Sequence, residues 1–199
     1  MTARSGMSTL ITNLRSMTAS GSTEYTVNGT AYWTDEHLQA VLDKYRVDVY
    51  YDEMVPIPKY PSGGGVEYFT YRAHYENLES GTALTVTDPT GGTIDAADYT
   101  LDAARGVVTF DTDRMATGTL TYYLSGQTYE PNSAAADVWG QKAAHYVTAY
   151  DFSTDNHSLR RGQIIDNCLK MARQYSNMKP VFSVTMERSD TSCPSDDED

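Results

Sequence analysis

Cysteine is scarce in this chain of 199 residues: there are two, Cys168 and Cys193. Neither sits in a C-x-x-C pair, and a bridge from a helical segment to a polar tail is a poor disulfide, so a reducing compartment is expected. The four histidines, His37, His74, His145 and His157, show no metal-ligand spacing, so no metal site and no cofactor are expected. Basic residues are also few, 15 against 27 acids, for a formal net charge of −12. Phosphate binding needs Lys and Arg to displace counterions, which excludes an electrostatic clamp on nucleic acid. No stretch is long and apolar enough for a signal peptide or a membrane helix. Met7 is a second candidate start after the leader "MTARSG".

Catalytic motifs are missing as well. "SGGGVEY" (62–68) is glycine-rich but carries no GK[ST], so it is expected to be a turn. Asp111 and Asp113 in "FDTDR" follow a strand-like run at turn spacing, and are expected to form turns rather than a catalytic pair. There is no G-x-S-x-G and no H-E-x-x-H. No enzymatic activity is expected.

What is present is a change of period along the chain. Leu10, Ile11 and Leu14 share one face of a short helix in "STLITNLRSM". A turn-rich stretch follows, with a loop or small hairpin expected around Asn28-Gly29. Thr34 is placed to cap a second helix carrying Leu38, Val41, Leu42 and Tyr45, with Asp35 and Glu36 at its positive end and Lys44 and Arg46 near its negative end. Residues 47–65 then read as extended, because three prolines break any helix. Runs rich in β-branched and aromatic residues follow, including "VEYFTYRAHY", "ALTVTDPTGG" and "GTLTYYLSG". "DYTLDAARGVVTF" reads as two strands around a tight corner where Gly106 supplies a positive φ.

Helical spacing returns at "PNSAAADVWGQKAAHYVTAY", with Asn132 or Ser133 as the expected cap. Ala136, Trp139, Ala143, Tyr146, Val147 and Tyr150 fall on one broad face. A polar corner carrying Phe152 leads to a further helix, expected to start near Ser158. That helix bears Ile164, Ile165, Cys168, Leu169, Ala172 and Tyr175, and the two are expected to pack as antiparallel neighbours. Arg160 and Arg161 open it, where the macrodipole favours acid. After Pro180, Val181, Phe182, Val184 and Met186 follow in near-alternation, which suits a strand docked on its own domain or on the sheet edge of another chain. The end "ERSDTSCPSDDED" holds six acids and one arginine, −5 of the −12, and reads as a solvated tail. Tyrosine occurs 16 times against 4 Phe and 2 Trp, a composition common at interfaces.

The expected class is α+β. A helical bundle is built from a short N-terminal helix, a second helix and a C-terminal helical hairpin, with an inserted small antiparallel β domain and an extended C-terminal arm. The expected divisions are residues 1–61 for the N-terminal helices and extended linker, 62–126 for the β-rich insert, 127–178 for the hairpin, and 179–199 for the arm and acidic tail.

This layout resembles the head-to-tail connector (adaptor) proteins of long-tailed bacteriophages. The likeness rests on the short first helix followed by "YWTDEHLQAVLDKYRVDV" (32–49), on the β insert, and on "AAADVWGQKAAHYVTAYDFSTDNHSLRRGQIIDNCLKMARQY" (134–175). In that last stretch an Ala-rich helix, an Asp-Phe-Ser corner and a Ser-x-x-Arg-x-x-Gln helix start occur in order. The likeness covers roughly residues 8–178; the large insert departs from compact all-helical members, and nothing beyond residue 186 has a counterpart. It implies a virion neck protein, assembled in the host cytoplasm, that forms a homo-oligomeric ring, commonly of twelve, beneath the portal vertex of the filled capsid. It implies that Val181, Phe182, Val184 and Met186 form an arm directed at the portal protein, and that the opposite side receives the downstream neck (stopper) or tail protein. It implies no enzymatic activity. By position, Asp151-Phe152-Ser153 is the corner of the packing hairpin.

The residues fit that picture on physical grounds. A channel walled by acid repels phosphate and lets DNA pass without specific binding. Arg160 and Arg161 become reasonable if a neighbouring subunit supplies carboxylates, and Trp139, Phe152, Ile164 and Ile165 are the expected hairpin or inter-subunit packing residues. The alternative expectation is a virion or tail surface-binding module whose tyrosine-rich β insert recognises a receptor or glycan.

Overall fold

The computed structural model describes residues 2–21, 24, 26–27, 30–81, 84–118, 120–147, 152–154, 157–159 and 161–178. Helix α1 (Ser8–Thr18) stops at Ala19, which turns left-handed at φ 50 and returns its N–H to Arg15. Strands β1 (Thr26–Val27) and β2 (Thr30–Ala31) pair antiparallel on either side of residues 28–29, as the Asn-Gly dipeptide predicts. Helix α2 (Asp35–Asp43) is capped as expected: the Thr34 hydroxyl accepts the His37 N–H at 3.2 Å.

Strands follow at once. β3 (Arg46–Glu53) and β4 (Val55–Lys59) occupy the stretch read from sequence as an extended linker, so the β region begins at Arg46 rather than at residue 62. It continues through β5 (Glu67–Arg72), β6 (Thr85–Thr87), β7 (Tyr99–Asp102) and β8 (Val107–Phe110) to β9 (Tyr123–Tyr129). The reason for the earlier start is pairing at long range: β3 lies antiparallel to β9, with Arg46 opposite Tyr129. Two antiparallel sheets result, ordered β3-β9-β6 and β4-β5-β8-β7, and the chain crosses from one to the other at Met54. Their inner faces share one apolar core. Tyr71 stands edge-on to Phe110 and to Tyr122, each with ring centroids 5.3 Å apart, beside Val86, Val108 and Leu124. Gly106 takes φ 64 at the β7–β8 corner, as its place in the sequence predicts.

Helix α3 (Pro131–Tyr146) is capped by the Glu130 carboxylate on the Asn132 N–H, not by Asn132 or Ser133, because Pro131 is already its first residue. Its deepest stripe is Ala134, Ala135, Val138 and Lys142, set against α1, α2 and the buried Trp33. The face predicted from sequence is the flank of that stripe: Ala143 is buried, Trp139 and Tyr146 are half-buried, Val147 is exposed, and Tyr150 lies outside the described residues. The helix has two packed sides, and α4 (Arg161–Asn177) takes the other. Between them the expected polar corner is a small hairpin, β10 (Phe152–Thr154) paired with β11 (His157–Leu159), so α4 starts at Arg161 and not near Ser158. Two further strands consume the residues that helical spacing alone assigned to the helix start.

The protein is thus mixed helix and sheet, with two cores joined where α2 leads into β3 and β9 into α3. A polar joint binds them. Arg4 Nε donates to Glu79 at 2.9 Å, and Arg4 Nη2 donates to Asp43 of α2 at 2.6 Å and to the Tyr129 hydroxyl at 2.9 Å. Tyr129 in turn donates to Glu79 at 2.6 Å. Gly6 lies against the Ser80 carbonyl, where a β-carbon would stand 2.0 Å from the oxygen, so only glycine lets the N-terminal segment approach this closely.

Candidate interaction surface

The α3–α4 seam gathers several of the residues singled out in the sequence. Trp139 and Ile164 line one cleft of about 280 Å³ together with Tyr146, Cys168 and Met171. Ile165 is half-buried beside it, and Cys168 is buried, as expected of a small core residue. Burial raises the Cys168 thiol pKa, partly opposed by the Lys142 ammonium, so the thiol stays protonated and unreactive at neutral pH. Phe152 sits in β10 with its backbone opposite Leu159. Arg161 is the first residue of α4; Arg160, and the arm residues Val181, Phe182, Val184 and Met186, lie outside the described residues.

A buried cation occupies the floor of that cleft. Lys142 is 2% exposed; its ammonium donates to Glu24 at 2.7 Å and to the Ala19 carbonyl at 3.2 Å, and lies 5.0 Å from the Trp139 ring centroid. Paired, hydrogen-bonded and set over an aromatic face, the charge is tolerated out of water. Sequence reading passed over it, although a lysine at i+4 from Val138 on an apolar stripe was the available signal. The Arg4 joint left no such signal, because its partners are far apart in the chain.

Helix α4 is less covered than its pattern implies. Cys168 is its one buried residue among those described, Leu169 is 39% exposed, and Ile164, Ile165 and Ala172 are half-buried. Exposed apolar residues also occur along β3 (Val47, Tyr50, Tyr51), along β4 (Val55, Ile57) and just after it (Tyr60). Tyr51 is held there by a bulge. The β3 register shifts between Val49 and Asp52, Tyr51 takes φ 49, and its N–H donates to the Ser125 hydroxyl at 3.0 Å.

Two of the stretches weighed for chemistry form turns. Asp113 accepts the N–H groups of Tyr68 and Met115 at 2.8 and 3.0 Å, and so forms a turn. The glycine-rich stretch makes the β4–β5 turn, with Gly64 and Gly65 at φ 83 and 91. Among the described residues no group of three His, Cys, Asp or Glu is placed to hold a metal ion. No described helix is long and apolar enough to cross a membrane. No family model matches the chain, and no curated protein and no solved structure is significantly similar to it.

Proposed function

We propose that this protein is a structural subunit of a phage neck, an adaptor ring that joins the portal vertex of a filled capsid to the next neck protein or to the tail and extends the DNA channel. The observation that carries the reading is the set of apolar residues left exposed, Leu169 on α4 and Val47, Tyr50, Tyr51, Val55 and Ile57 on β3 and β4. A subunit packed against copies of itself would bury these residues. The acidic balance suits a wall along which DNA slides. In this reading the segment Val181 to Met186 is the portal-directed arm, the ring holds about twelve copies, and Arg160 and Arg161 meet carboxylates of the adjacent subunit.

Negative-stain imaging and light scattering of the purified chain, with and without portal protein, test it. Annular particles in either condition are expected. A chain that stays monomeric and never joins a portal complex overturns the proposal. A second reading draws on Tyr50, Tyr51 and Tyr60, whose exposed rings suit a receptor or glycan. Cell or sugar binding that disappears when the β region is deleted would favour it.

A further inference from the structure

The helical core and the β core share no residue. The chain passes between them twice, at residues 44–45 after α2 and at residues 129–130 before α3. The two crossings lie side by side, because the Glu130 N–H donates to the Tyr45 carbonyl at 3.2 Å. Two short adjacent links make a hinge, since a few backbone dihedrals absorb the whole rotation. Lobes with separate cores move against each other unless a large apolar interface holds them.

Across the divide the structure places a strap and a cleft. Met7 is buried in the helical core, and the Arg4 N–H donates to Gln39 of α2 at 2.7 Å, so the N-terminal segment travels with the helices. From there it reaches over to the β side. Arg4 Nε donates to Glu79 at 2.9 Å, and the Gly6 carbonyl accepts the Ser80 hydroxyl at 3.2 Å and its N–H at 3.4 Å. Tyr129, packed with the helical core, adds its hydroxyl to Glu79 at 2.6 Å. Beyond Ser80 the lobes part. A cleft of about 580 Å³ lies between Thr9 of α1 and Thr100, Asp102 and Thr109 of β7 and β8. It is open to solvent already, so widening it exposes little further apolar surface.

We propose that the β lobe swings on the helical lobe about residues 44–46 and 129–130, and that Arg4 and Gly6 form the latch that holds the cleft narrow. Loss of Arg4 favours opening for a specific reason. In the closed form it leaves the Glu79 carboxylate buried with the Tyr129 hydroxyl, and in the open form water reaches that charge. The hinge belongs to the single chain and does not depend on the ring.

Distances between nitroxide labels on Asn13→Cys of α1 and Ala104→Cys of the β7–β8 corner, both exposed, test it. They are read by electron–electron double resonance in the full chain with Cys168 and Cys193 replaced by Ala. This parent should give one narrow distribution. Arg4→Ala should add a longer component, and so should Gly6→Ala, whose β-carbon would meet the Ser80 carbonyl oxygen at 2.0 Å. Hydrogen exchange in the same proteins should stay slow at the amides of Val108 and Val138, one from each core. A single unchanged distance in both variants overturns the proposal, as does a parent already as broad as the variants. A longer component accompanied by fast exchange at Val108 or Val138 also overturns it, because the strap then holds a core together rather than the two lobes.

Discussion

Arg4 and Glu79 lie 75 residues apart in the chain and meet at 2.9 Å, with Glu79 only 3% exposed. Asp43 first and Glu79 second hold the Arg4 guanidinium pKa above its ordinary value. The pair fastens the N-terminal segment to α2 on one side and to the β region on the other. Replacing Arg4 by Ala strands a buried carboxylate with the Tyr129 hydroxyl as its main donor. Because solvent reaches the Arg4 side chain, the expected loss is about 2 to 3 kcal/mol rather than more, read from urea unfolding. Adding Glu79→Gln to Arg4→Ala should recover about 1 kcal/mol of it. Fully additive losses would show that the two residues are not coupled.

Lys142 and Glu24 should respond unequally, since the lysine is the deeper partner. Glu24→Ala leaves a buried ammonium with the Ala19 carbonyl, and should cost about 2 to 3 kcal/mol. Lys142→Met keeps the stem over Trp139 and leaves Glu24 partly in water, so about 1 kcal/mol or less is expected. Thermal or chemical unfolding that ranks the two the other way would contradict the burial described for this pair.

Tyr71 is fully buried, and among the described residues its hydroxyl has no partner. Tyr71→Phe should therefore stabilise the protein by about 1 kcal/mol. Burial above all pushes the Tyr71 pKa up to about 12. The folded state therefore keeps the proton that an unfolded tyrosine releases near pH ~10. This contribution is present in full below that pH and is lost as pH rises toward 12. Tyr129 shifts the same way, by burial and then by its bond to Glu79. The unfolding midpoint should fall between about pH 8 and about pH 11, and fall less in Tyr71→Phe.

Gly106 and Gly64 share a positive φ but differ in surroundings. A β-carbon on Gly106 would stand 2.0 Å from the Tyr75 carbonyl oxygen, whereas nothing lies within 4 Å at Gly64. Gly106→Ala should lose more than about 2 kcal/mol, and Gly64→Ala about 1 kcal/mol, the penalty for a left-handed backbone alone. Comparable melting temperatures for the two variants would count against this corner.

Features that depend on neighbours in sequence were legible without the structure. Thr34 caps α2 because its hydroxyl needs only a backbone N–H three residues on. The β7–β8 corner forms because Gly106 can turn there, and α4 packs on α3 because both carry apolar residues at helical spacing. Where two elements competed for one stretch, sequence reading misjudged the boundary. Helical spacing ran back to Ser158, yet residues 157–159 pair with 152–154 as a strand. Pro131 displaced the expected cap to Glu130.

Composition, charge, capping residues and local periodicity were enough to determine that this chain alternates helix with antiparallel strand, because each acts within a few residues of backbone. Which strands pair and which lysine is buried were decided only by the tertiary structure. Those outcomes depend on β3 meeting β9 and on Arg4 meeting Glu79, contacts set by the summed burial of two whole cores rather than by any short run of residues.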